Sequence, residues 1–159
     1  MKSLTKALAM AASLSAGTQA QALSCMRPDP ISTFAFLAAE SDPYFVIYGT
    51  LIFDEALLPT GVSNQQSQEP APIPARFDGK GLSSEGFVND YVSDMILQVT
   101  CAGPWCGTAQ SGVEAVIFVA SEQPITVEAG ACGGRIFENP DQATLDALTT
   151  CMQGGPCSP

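Results

Sequence analysis

Apolar and polar positions alternate along much of this chain, and the places where the period changes divide it into short elements. The most regular stretch is Tyr44-Phe-Val-Ile-Tyr-Gly-Thr-Leu-Ile-Phe53, whose aromatic and β-branched residues predict a strand. Gly49 within it predicts a bulge or bend, because a strand residue without Cβ marks curvature or close backbone approach. Met95, Leu97 and Val99 alternate with polar neighbours inside 86–100 and predict a second long strand. Glu114–Ala120 and Ile125–Glu128 predict a hairpin across Ser121-Glu-Gln-Pro124, and Ala75–Asp78 a short strand turning at Asp78-Gly-Lys-Gly81.

Helical spacing is confined to the two ends of this region. Asp29-Pro30 supplies an N-cap and a proline at the first helical position, Phe34, Leu37 and Ala38 then share a face, and Asp42-Pro43 stops the helix. Asn139-Pro-Asp141 opens a second helix that carries Leu145 and Leu148 and ends at Gly154-Gly155. Residues 57–74, with Pro59, Pro70, Pro72, Pro74 and the Asn64–Gln68 run, read as a polar surface loop. Neither an internal repeat nor a βαβ unit is visible. The order helix, five or six strands, helix therefore predicts a mainly β fold: a small antiparallel OB-like barrel with a short N-terminal and a C-terminal helix.

Upstream, the pattern is that of an export signal. Lys2 and Lys6 precede an uncharged, mostly apolar or small run from Ala7 to Ala16, and Ala20-Gln-Ala22 is a small-x-small cleavage site. Residues 1–22 are therefore predicted to be a signal peptide, and 23–159 a single domain of a periplasmic or secreted protein with no stable membrane span. Cleavage after Ala22 is preferred. Cleavage after Ser24 would expose Cys25 as the N-terminus, and acylation of Cys25 is a third fate.

Composition then narrows the chemistry. The chain has a formal charge of −10, and loss of a leader carrying Lys2 and Lys6 makes an acidic protein more so. Beyond the leader the only basic residues are Arg27, Arg76, Lys80 and Arg135. Such a field repels phosphate backbones and anionic lipid, which excludes nucleic acid as a partner. It serves solubility first, and could favour a basic partner surface. Histidine is absent, which removes the commonest general base and metal ligand.

Six cysteines, Cys25, Cys101, Cys106, Cys132, Cys151 and Cys157, in an exported domain of this size predict three disulfides. Sequence alone does not fix the connectivity. Cys101–Cys106 and Cys151–Cys157 each enclose Gly and Pro and can close tight loops, which leaves Cys25 with Cys132 across about 100 residues. No Cys-x2-Cys pair exists to argue for zinc, so no metal and no cofactor is predicted.

Other candidate chemistry is thin. Trp105 inside Cys101-x4-Cys106 resembles a redox site, but thiol oxidoreductases separate their cysteines by two residues. Asp54-Glu55, and Asp90 with Asp94 flanking Tyr91, are the carboxylates a small hydrolase would need, provided that two of them converge; neither set has the spacing of a calcium loop. Met26 and Met152 sit beside cysteines and could suggest a soft metal, though such methionines more often pack. Trp105, Tyr44 and Tyr48 are expected mainly in the core, with a binding face as their alternative. No catalytic residue is assigned. The predicted function is a non-enzymatic binding or inhibitory module of the cell envelope, acting on an envelope or extracellular protein, with a small carboxylate-based hydrolase as the alternative.

The order of these motifs resembles a known family. Cys25-Met-Arg-Pro28 precedes a short helix; Phe45-Val-Ile-Tyr-Gly-Thr-Leu51 follows; Cys106-Gly107 and Ser111-Gly112 lead into Ala115-Val-Ile-Phe118; and Ile125-Thr-Val127 leads to Cys132. Over about residues 25–151 this is similar to the netrin-like module, the OB-fold barrel shared with tissue inhibitors of metalloproteinases. The resemblance implies an OB-type barrel and a protein-binding role. That family's inhibitors chelate a protease zinc through an N-terminal cysteine in a Cys-x-Cys pair. Here Met26-Arg27 follows Cys25 and the second cysteine is missing, so the implication is firmer for fold than for zinc-protease inhibition.

Overall fold

The computed structural model describes residues 25–26, 28–61 and 70–158; the predicted export leader with its cleavage points, and 62–69 of the Pro-rich segment, lie outside them. The chain is mainly β, with two helices and three disulfides. Helix α1 spans Pro30–Ala38 and α2 spans Gln142–Met152. The strands are β1 (Tyr44–Phe53), β2 (Ile73–Ser83), β3 (Gly86–Val99), β4 (Cys101–Ala102), β5 (Trp105–Cys106), β6 (Glu114–Ala120), β7 (Thr126–Ala129) and β8 (Ile136–Glu138). Six of them form one sheet in the order β7-β3-β2-β1-β6-β8, and β4-β5 is a separate two-stranded ribbon.

The sheet curls into a half-barrel. Inward-facing residues follow the period of two: Phe45, Ile47, Leu51 and Phe53 from β1, Ala115, Ile117 and Val119 from β6, and Phe77, Met95, Leu97 and Val127 from the other strands close the barrel core. Gly49 of β1 lies directly opposite Gly79 of β2. Each would drive a Cβ into the other strand's backbone, so only glycine permits this approach.

The opposite face of β1 and β6 carries Val46, Val116 and Phe118, which would face water without the two helices. Ile31 and Leu37 of α1 and Leu145 and Leu148 of α2 cover them in a second core. The register between β2 and β3 shifts at Gly81/Leu82, with Val88 as the extra residue. This bulge reverses the alternation, so Phe87 joins the helix-side core and meets Tyr48 edge-on at 5.7 Å.

Three readings of the sequence need correction. Asp78-Gly-Lys-Gly81 is not a turn: β2 runs through it to Ser83, and the glycines are there for close strand approach. Glu114–Ala120 and the segment after Pro124 do not pair as a hairpin. β6 lies between β1 and β8, while β7 joins β3 at the far edge in parallel, so one pair of the barrel departs from the antiparallel expectation. The five-residue link Ser121–Ile125 can run from β6 to the far-edge strand β7 because the curl brings the two strands into contact. The edge strand β8 was not legible in advance.

The predicted N-cap Asp29 forms, and Asp141 caps the second helix. Asp29 Oδ1 accepts from the Ser32 N–H and Asp141 Oδ1 from the Thr144 N–H, each at 2.8 Å. The bond from Thr144 holds the Asp141 carboxyl below its ordinary pKa. A carboxylate with a depressed folded pKa stabilises above its unfolded pKa, and that contribution is lost as the pH falls through the folded value. Asp141→Asn keeps the cap but does not titrate. Its melting temperature at pH 7 should match wild type, and it should fall less between about pH 5 and pH 3. Thermal scans against pH check this; parallel acid limbs for the two proteins would remove the cap from the explanation.

Candidate docking surface

The helices cover only part of the outer sheet. On the outward face of β2 and β3, Arg76 pairs with Asp94 at 3.0 Å and Lys80 with Asp90, with exposed Val92 between the two pairs. The hydrogen bond and charge of Lys80 lower the Asp90 pKa. Both pairs stand in solvent, where such bridges contribute little stability. Their consequence is that Arg76 and Lys80 offer little free positive charge.

The remaining distinctive surface lies at the N-terminal edge. The Cys25–Cys132 disulfide, with Cα atoms 5.3 Å apart, ties the chain before α1 to the loop between β7 and β8. That loop turns at Gly130–Gly133, where the Gly133 N–H donates to the Gly130 carbonyl at 2.8 Å and Gly133 adopts φ 73°. Pro28 packs on Gly133, so tightly that an added Cβ would sit 3.1 Å from its Cγ. The segment is thus held by a covalent bond, a glycine turn and a proline contact, and α1 starts from a fixed point.

Between α1 and this loop lies an open groove of about 580 Å³, lined by Met26, Pro28, Phe36, Glu128 and Arg135 among others. Helix α1 turns Ile31 and Leu37 into the helix-side core and leaves Phe36 63% exposed; Met26 is 90% exposed. These are the two most exposed large apolar side chains among the described residues. In the groove wall, the Arg135 guanidinium lies over the Tyr44 ring, 4.6 Å from its centroid, and Nη2 donates to the Tyr44 hydroxyl at 3.3 Å. Its Nη1 is buried without a hydrogen-bond partner.

The carboxylates considered for hydrolysis do not assemble. Asp54 caps the short 3-10 turn Glu55–Leu57 by accepting from the Ala56 N–H at 3.0 Å, and Glu55 accepts from the Ser111 N–H at 2.6 Å, so both fasten loops. Asp90 and Asp94 lie four residues apart on one strand face, about 13 Å along β3, whereas glycosidase pairs stand about 5–10 Å apart. Among the described residues no group of three or more Asp, Glu, Cys or His could hold a metal ion.

The structure pairs Cys101 with Cys106 across the β4-β5 ribbon and Cys151 with Cys157 at the end of α2, so all six cysteines are bonded. Trp105, at the tip of that ribbon, is 47% exposed rather than in the core, because the two-stranded ribbon projects from the main sheet. Tyr44 and Tyr48 are half-buried under the helices. Burial raises the Tyr48 pKa, helped by its hydrogen bond to Glu114 at 2.9 Å. Met152 lies at the end of α2 beside a bonded cysteine, and no helix among the described residues is long and apolar enough to cross a membrane.

Sequence reasoning missed Phe36 and the stacking of Arg135 on Tyr44. Phe36 carried a usable signal, as an aromatic residue off the Phe34/Leu37/Ala38 stripe; the partner of Arg135, far away in sequence, carried none. No protein-family model, curated protein or solved structure matches the chain.

Proposed function

We propose that this protein is a netrin-like, non-enzymatic binding module, exported to the periplasm or the cell exterior, that docks a protein partner at the groove beside the Cys25–Cys132 bridge. The carrying observation is the pairing of Met26 and Phe36, both largely exposed, on the rim of one groove whose backbone is fixed by a disulfide. Large apolar side chains rimmed by polar groups are the usual anchors of protein interfaces. Three disulfides suit an oxidising compartment and a rigid scaffold, whose partner does not have to order it on binding.

The test is capture of partners from envelope extract by the wild type and by the Met26→Glu/Phe36→Glu variant. Both positions are exposed, so the variant should fold with wild-type melting behaviour. A partner held by the wild type should be lost, because each truncated anchor typically costs over 1 kcal/mol, roughly tenfold in affinity. Equal recovery by both proteins would sink the docking assignment.

A further inference from the structure

We propose that the segment this groove accepts is cationic and amphipathic: a Lys- or Arg-rich stretch of a partner protein with apolar side chains on one face. The inference rests on the docking reading above and adds the chemistry of the partner. The apolar half follows from Met26, Pro28 and Phe36, which offer contact area and few hydrogen-bonding groups. The cationic half follows from charge. Asp29 and Glu128 line the groove, and Glu40 and Asp42 line the adjoining hollow, which shares Leu37 with it.

Among the described residues, the positive charge lining the groove and the adjoining hollow is limited to Arg135, against these four acids. Arg76 and Lys80 are paired with Asp94 and Asp90 on the β2-β3 face. The Arg135 guanidinium lies over the Tyr44 ring with one nitrogen buried, and it keeps its single charge. It forms no salt bridge among the described residues. Among the described residues Glu128 receives one hydrogen bond, from the Thr100 hydroxyl at 3.5 Å, and forms no salt bridge. The whole chain, at a formal −10, adds a long-range field of the same sign. An apolar rim beside acidic groups in a negative field selects apolar residues interleaved with lysine or arginine, and disfavours an acidic segment or an anionic lipid surface.

The experiment measures fluorescence anisotropy of three labelled peptides with the oxidised mature protein at low ionic strength. One is a leucine–lysine peptide with its leucines on a single helical face. The second replaces each lysine with glutamate, and the third replaces each leucine with serine. The leucine–lysine peptide should bind and the glutamate peptide should not, while the serine peptide should bind at least about tenfold more weakly. Phe36→Ser should weaken leucine–lysine binding about tenfold. Glu128→Lys should weaken it severalfold, with a shallower salt dependence. Glu85→Lys, in the separate cleft between α2 and the β2-β3 turn, should change it less than about twofold.

Equal losses from Glu85→Lys and Glu128→Lys would mean that only overall charge matters, and would overturn the proposal. So would equal binding of the glutamate peptide. Binding to neutral phosphatidylcholine vesicles that is lost in Phe36→Ser would overturn it in favour of a lipid surface. Loss of a captured partner in Met26→Glu/Phe36→Glu, with no binding of the leucine–lysine peptide, would retain the docking site and remove its cationic specificity. Leucine–lysine binding that Phe36→Ser leaves unchanged would remove both.

Discussion

Replacing Gly49 with alanine is expected to destabilise the protein by about 3 kcal/mol or more and to lower its melting temperature by roughly 10 °C. A methyl group seldom has so large an effect; here it has no space to occupy. Gly49 and Gly79 face each other across β1 and β2, and the added Cβ would lie against the Asp78 carbonyl oxygen and 2.6 Å from the Gly79 Cα. These are backbone atoms, which cannot rotate aside as a side chain would. Relief requires the two strands to separate, which would disturb Ile47, Leu51 and Phe77 in the barrel core beside them. Gly81, two residues beyond Gly79 on β2, provides the contrast. Its added Cβ would meet nothing nearer than the Asn89 carbonyl oxygen at 3.9 Å. Gly81→Ala should therefore stay within about 0.5 kcal/mol of wild type. Circular-dichroism melts of the oxidised proteins decide the matter, and a Gly49→Ala protein melting within about 2 °C of wild type would refute the close-approach account.

The same glycines show where the sequence was legible and where it was not. The aromatic and β-branched content of Tyr44–Phe53 identified one strand, and the alternation of Met95, Leu97 and Val99 a second with its buried face, because a half-buried strand must repeat every two residues. Gly49 was read as a bulge or bend; the register runs through it unbroken, and the glycine serves close approach to β2. Gly79 and Gly81 were read as a turn, since glycine permits a turn and close strand approach alike, and only the facing strand distinguishes them. Alternation also says which face of β7 is buried without naming its neighbour; its parallel partner β3 follows from the path of the whole chain. At the candidate site, loop length made the cysteine pairing readable. The exposure of Phe36 and Trp105 was less so, because an aromatic residue promises burial until the shape of its surroundings is known. Phe36 lies on an exposed face of α1, and Trp105 on a ribbon separate from the main sheet.

Removing the Cys25–Cys132 bridge, as Cys25→Ser/Cys132→Ser, is expected to have the largest effect of any disulfide change. Its cysteines are 107 residues apart, against 6 for Cys151–Cys157. Loop-closure entropy assigns about 4–5 kcal/mol to the long loop and about 2 kcal/mol to the short one, because the longer loop restricts many more unfolded conformations. Guanidinium unfolding of this double variant and of Cys151→Ser/Cys157→Ser should therefore rank their midpoints in that order, and the reverse ranking would contradict the entropic account. The bridge has a second, separable consequence. It anchors the backbone at Met26 and Pro28, whereas Phe36 is held by the burial of Ile31 and Leu37 in α1. Without it, one wall of the groove must be ordered each time a partner binds, while the other keeps its place. Under conditions where both double variants remain folded, loss of Cys25–Cys132 should weaken leucine–lysine peptide binding severalfold, and loss of Cys151–Cys157 should leave it near wild type. Equal affinities for the two would show that the disulfide stabilises the domain without shaping its docking surface, and would shift the weight of recognition onto α1 alone.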